Sequence, residues 1–126
     1  EYNRAMLLLA VLEKRGGLLL GNCDAYLNVI GGLSLDEPAA DLAAMLALAS
    51  SFRDKPVPSD LAAIGEVGLT GELRAVSNLG QRLSEVRRLG FTKCLIPKRI
   101  QGKLAAPEGL ELIRVANIRE ALAALL

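Results

Sequence analysis

Between positions 82 and 103 the chain carries Arg82, Arg87, Arg88, Lys93, Lys98, Arg99 and Lys103 against the single acid Glu85, a local balance of +6. The chemistry open to such a stretch is contact with phosphate or with an acidic neighbour, since guanidinium and ammonium groups donate hydrogen bonds and accept none. Three readings apply: a solvated face, a subunit contact, or a grip on a phosphate backbone. Base stacking is not supported, because Tyr2, Tyr26, Phe52 and Phe91 do not interleave with the cations. A nucleic-acid contact built from these side chains alone is therefore indifferent to base sequence. Residues 24–72 have the opposite bias. Asp24, Asp36, Glu37, Asp41, Asp54, Asp60, Glu66 and Glu72 face only Arg53 and Lys55, although the whole chain is +1. Charge segregated in this way concerns partners more than folding, and it suits a head-to-tail contact between copies.

Other chemistry is narrowed by what is missing. The chain has no histidine, which removes Ser-His and Cys-His catalysis and any zinc site that needs imidazole. Ser50, Ser51 and Ser77 thus lack an imidazole base. Cys23 and Cys94 are far apart and show no metal-ligand spacing; they read as reduced thiols of a cytoplasmic protein, placed in strands or core. No G-x-x-x-x-G-K-[ST] loop is present, so triphosphate binding of the P-loop kind is not expected in these residues. Asp36, Glu37 and Asp41 surround a helix start, where acids stabilise the dipole for ordinary reasons, and no metal site is read from them.

These side chains must be positioned by a domain of 126 residues, 52% apolar, with no Trp, two Phe and two Tyr. That is one domain spanning 1–126, packed mainly by aliphatic residues. No apolar run approaches the length of a membrane span. A helix is expected over Asn3–Arg15, stopped by Gly16-Gly17, then strands at Leu18–Leu20 and Cys23–Ile30 and an extended step at Leu33–Leu35. The next helix runs from Pro38 to Phe52, with Pro38 in the first turn and Asp36 or Glu37 at the cap. It is apolar almost all round and so should be buried. Strands at Leu61–Val67 and Glu72–Val76 flank a Gly-Leu-Thr-Gly turn. A helix from Leu79 ends at Gly90, and a strand over Lys93–Ile96 ends at Pro97. A loop covers Lys98–Gly109, a strand Leu110–Val115, and Asn117 caps a final helix. The sum is an α/β protein, an α+β sandwich.

The segments Asp36-Glu37-Pro38-Ala39-Ala40-Asp41 and Gly65-Glu66-Val67-Gly68-Leu69-Thr70-Gly71-Glu72, with the helix opening at Leu79, resemble the proteolytic domain of the Lon family. The resemblance implies a fold like domain 2 of ribosomal protein S5 and a Ser-Lys dyad. Here the matching positions hold Ala39 and Arg82. Alanine offers no nucleophile, and a guanidinium cannot serve as a base near neutrality. The opening Glu1-Tyr2-Asn3-Arg4, the run Asn28–Leu33 and the extension through Leu73-Arg74 are similar to the C-terminal domain of the bacterial RadA (Sms) family. That resemblance implies a fragment of a longer cytoplasmic repair protein, whose zinc finger and RecA-like ATPase would bring Zn, ATP and Mg, while this domain brings no cofactor. It implies a homo-oligomer, a hexamer, acting on single-stranded or branched DNA, with no membrane. Arg87, Arg88, Lys93, Lys98, Arg99 and Lys103 are the residues expected to hold DNA. The alternative is an active Lon-type peptidase with an atypical nucleophile.

Overall fold

The computed structural model describes residues 2–21 and 37–125. The expected strand at Cys23–Ile30 and the extended step at Leu33–Leu35 lie outside them. Helix α1 spans Tyr2–Gly16 and α2 spans Asp41–Arg53, entered through a 3-10 turn at Pro38–Ala40. Strands β1 (Leu61–Ala63), β2 (Glu66–Val67) and β3 (Leu73–Arg74) follow. Then come α3 (Leu79–Arg88), β4 (Lys93–Pro97), β5 (Glu111–Val115) and α4 (Ile118–Leu125). No strand forms at Leu18–Leu20, where Leu18 N–H instead donates back to Leu12 O at 3.4 Å.

Three strands make a parallel sheet in the order β1-β4-β5, and β2 and β3 form a separate antiparallel pair. The expected continuous strand over Leu61–Val67 therefore divides. Its cause lies on the central strand: Ala63 pairs with Leu95, and Pro97 has no N–H to carry the ladder onward. The chain leaves the sheet at Ile64, and Gly65 bonds instead to the turn before α2, with Gly65 N to Ala39 O at 2.9 Å and Leu42 N to Gly65 O at 3.0 Å.

Side chains alternate across this sheet as the pleat requires. Leu61, Ala63, Leu95, Ile113 and Val115 join the core beneath α1, α2 and α4, which includes Leu12, Leu42, Met45 and Leu122. Ala62, Ile64, Cys94, Ile96 and Leu112 face a second cluster with Leu79, Leu83 and Leu110, roofed by α3. β4 reaches β5 through residues 98–110 without a helix, so Ile100 and Leu104 of that loop help cover the second face. The ends of the helices follow local chemistry. Asn117 Oδ1 accepts Glu120 N–H at 2.8 Å while Glu120 Oε1 accepts Ala116 N–H at 2.9 Å, a reciprocal cap on α4. Gly90, at φ +102, lets the chain turn off α3.

Candidate functional site

Residues 39 and 82 come from elements far apart in sequence and meet through one carboxylate. Ala39 sits buried in the 3-10 turn, in the apolar cluster that also holds Leu79 and Leu83 of α3. Its N–H donates to Glu37 Oε2 at 3.3 Å, and Arg82 Nη2 donates to Glu37 Oε1 at 2.8 Å. Arg82 Nε is held by Ser77 O, also at 2.8 Å. The guanidinium thus ties the first turn of α3 to the entrance of α2. The hydrogen bond from Arg82, with that from Ala39, keeps the Glu37 carboxyl below the usual carboxylate range. As a chemical centre the arrangement offers a methyl group and a cation already committed to two acceptors.

Other nucleophiles are no better placed. Ser50 Oγ donates to Lys55 O at the end of α2, and Ser77 is exposed. Cys94 is buried in the middle of β4, and burial pushes its thiol up to about 12, so it is not a thiolate near neutrality. Among the described residues no group of His, Cys, Asp and Glu is placed to hold a metal ion.

Asp41 is the buried ionic group. Only 4% exposed, its carboxylate accepts both Nε (3.0 Å) and Nη2 of Arg4, and Val67 N–H at 3.1 Å. It therefore joins α1, α2 and β2. The sequence reading gave it a dipole role alone, although one acid at the head of an otherwise apolar helix was the available signal.

The hairpin motif is explained by its geometry. Glu72 folds its carboxylate back over the turn, accepting Thr70 N–H at 3.2 Å and the Thr70 hydroxyl; these bonds, the Thr70 hydroxyl first, lower its pKa. A Cβ at Gly68 would fall 2.1 Å from Glu72 Oε2, and one at Gly71 (φ +83) 2.9 Å from Arg15 Cβ. Gly71 is required by its left-handed conformation and the close approach of Arg15, whereas a side chain at Gly68 would displace the Glu72 carboxylate from its place over the turn. Arg74 pairs with Glu72 at 3.4 Å and Glu66 at 3.9 Å.

The basic residues fall into two groups along the sheet. Arg87 donates to Glu108 O and to Phe91 O, which places it, with its neighbour Arg88, beside the amino end of the sheet near Lys93. Lys98 and Arg99 leave the carboxyl end, five residue steps from Lys93, or roughly 16 Å along the strand. At the amino end Arg88 pairs with Glu85, which lowers the Glu85 pKa. Arg87 Nε donates to Glu108 O at 3.2 Å. Lys93 is in register with Glu111 and its N–H binds Asp60 O at 3.1 Å. Of these three cations only Arg88 makes an ion pair among the described residues; Arg87 is held by a carbonyl, and the Lys93 side chain has no partner there. At the carboxyl end Lys98 and Arg99 are exposed, and their side chains have no partner among the described residues. They line an open cleft of about 630 Å³ with Arg74, Glu72, Leu73, Ala75 and Ala116. Lys103 is exposed in the loop between the ends. Arg74 was not among the expected contact residues, because its place depends on the β3–β5 contact, Leu73 N to Ala116 O at 2.9 Å.

Comparison with known proteins agrees with the resemblance read from the motifs. The model of the Lon protease (S16) C-terminal proteolytic domain matches residues 24–126. The DNA repair protein RadA of Bacillus subtilis is 55% identical over 122 residues, 97% of this chain and 27% of that protein. RadA of Streptococcus pneumoniae is 50% identical over 97% of the chain and 29% of the relative. RadA of Listeria monocytogenes is 50% identical over 97% and 27%. The chain thus spans less than a third of the length of these relatives.

Proposed function

The chain belongs to the Lon protease C-terminal proteolytic domain family, and on that premise we propose that it is a member without peptidase chemistry. Its role in this reading is an assembly scaffold and a sequence-independent DNA-backbone contact within a RadA-type repair protein. The observation that carries the reading is the pair at positions 39 and 82. A methyl group cannot attack a peptide bond. A guanidinium held by Glu37 and Ser77 O donates its hydrogen bonds and has no lone pair with which to take a proton. In this reading the pair at 39 and 82 serves as a strut between α2 and α3.

The DNA part is supported by the relatives' being DNA repair proteins, and by Lys98 and Arg99, whose side chains have no partner among the described residues. Ring formation, with six subunits, is the assembly this family membership suggests, and the S5-like arrangement is the fold proposed to support it. ATP, Mg and Zn chemistry is assigned to other domains of such a protein, acting in the cytoplasm.

Incubation with an unfolded protein substrate, followed by mass spectrometry, should release no peptides above a buffer control. Cleavage that survives repurification would refute the loss of chemistry. Light scattering across salt concentrations tests the scaffold: a strict monomer at high concentration and low salt rejects self-assembly of this chain.

A further inference from the structure

Resting on the DNA reading above, we infer that the cleft at the carboxyl end of the parallel sheet is where the phosphodiester backbone is held. Arg74, Lys98 and Arg99 are its cationic ligands, and the amino-end cations Arg87, Arg88 and Lys93 are not part of it. The state of the side chains separates the ends. Among the described residues the cleft is lined by Arg74, Lys98 and Arg99 with Glu72, and Glu66 lies 3.9 Å from Arg74, whereas at the amino end Arg88 is paired with Glu85. Availability points the same way. Phosphate would have to displace Glu85 from Arg88 and the Glu108 carbonyl from Arg87, but the side chains of Lys98 and Arg99 have no partner to give up among the described residues.

Arg74 is intermediate. Its contacts to Glu72 and Glu66, 3.4 and 3.9 Å, are long for charge-assisted bonds, and its side chain is 54% exposed. A phosphate oxygen in the cleft offers it a better acceptor at little conformational cost. The remaining lining, Leu73, Ala75 and Ala116, presents small apolar side chains and nothing arranged to read a base edge. Two of the cations are placed by the fold: Lys98 N–H is anchored to Val115 O at 2.8 Å, and β3, which carries Arg74, is anchored to Ala116. The occupant argued for is thus a phosphate run. An acidic segment of a neighbouring copy has the same charge and is the competing outcome.

The test uses the full-length protein that carries this chain, with a labelled mixed-sequence single strand and anisotropy measured across salt. Lys98→Ala/Arg99→Ala and the triple variant adding Arg74→Ala are compared with Arg87→Ala/Arg88→Ala/Lys93→Ala, with assembly followed by sedimentation. Each lost phosphate contact should flatten the slope of log affinity against log salt by about 0.7, so the triple cleft variant should lose about 2. The double variant, whose side chains hold no structural bond, should lose about 1.4 and guards against a folding defect. The amino-end variant should keep the wild-type slope. Equal flattening from both ends, flattening from the amino end alone, or loss of assembly in the double variant overturns the assignment. Wild type with no salt-dependent DNA binding at all would instead remove the functional reading, and the cleft with it.

Discussion

The amino and carboxyl ends of the parallel sheet use the same kinds of charged residue with opposite results. At the amino end, Glu85 and Arg88 are one turn apart on α3, and Arg87 closes onto the backbone at Glu108. Two of the three cations there are engaged locally. At the carboxyl end the acids are used for architecture. Glu37 caps the turn at Ala39 and receives Arg82, Asp41 is sealed beneath Arg4, and Glu72 folds over its own hairpin. Lys98 and Arg99 are left over. The difference teaches that a charged run in sequence is not a charged surface: β4 carries its two ends apart, and acids from other elements decide which end stays positive.

Breaking the brace at the carboxyl end should have the largest effect on stability. Arg4→Ala leaves the Asp41 carboxylate buried without its cation. The loss should approach the lower part of the ~3–5 kcal/mol typical of such a deletion, because Arg4 itself is 32% exposed. Urea titration measures it, and a change below ~1 kcal/mol would mean that water reaches Asp41 freely.

Gly71→Ala comes next. The new methyl group must occupy a left-handed conformation and press on Arg15 and Ile118. A cost of about 1–3 kcal/mol is expected from strain, measured by thermal melting. Gly80→Ala, where nothing lies within 4 Å, is the control and should not lower the melting temperature.

Acid should weaken the brace before neutral conditions do. The Glu37 and Glu72 carboxyls have folded pKa values below their ordinary value. Their contribution is therefore present above the unfolded value, about 4.3, and is lost as pH falls through the lower folded value. Glu37→Gln should make stability less steeply dependent on pH below about 4.3, with little change in that dependence at pH 7. An unchanged acid profile would show that Arg82 does not engage Glu37 in solution. The smallest effect is reserved for the amino end: Arg88→Ala removes an exposed i,i+3 pair and should not change the melting temperature measurably.

Much of the fold was legible where one residue type settles local geometry. Pro38 and Glu37 marked the start of the buried helix, Gly90 its neighbour's end, and Asn117 the last cap, all as observed. The division of Leu61–Val67 was not legible, since it depends on a proline in a different strand. The meeting of positions 39 and 82 was implied by motif, but the carboxylate that joins them was read only as a helix cap. The six-cation surface was read without β4, whose length sets Lys93 and Lys98 roughly 16 Å apart. Arg74 was missed because it enters the cleft through tertiary pairing of β3 with the chain after β5.

The helix-free passage from β4 to β5 has a consequence in time. Lys98 N–H is bonded to Val115 O, and the next backbone bond along the passage is Leu110 N–H to Pro107 O at 3.2 Å. Between them, the amides of residues 99–106 donate to no backbone carbonyl within the described chain. Those amides should exchange with solvent at close to unprotected rates, while Cys94 and Leu95 beneath them exchange only when the sheet itself opens. Arg99 and Lys103 ride on the fast-exchanging segment and Lys98 on its fixed hinge. This end of the molecule therefore offers one charge of settled position and two that can follow whatever arrives.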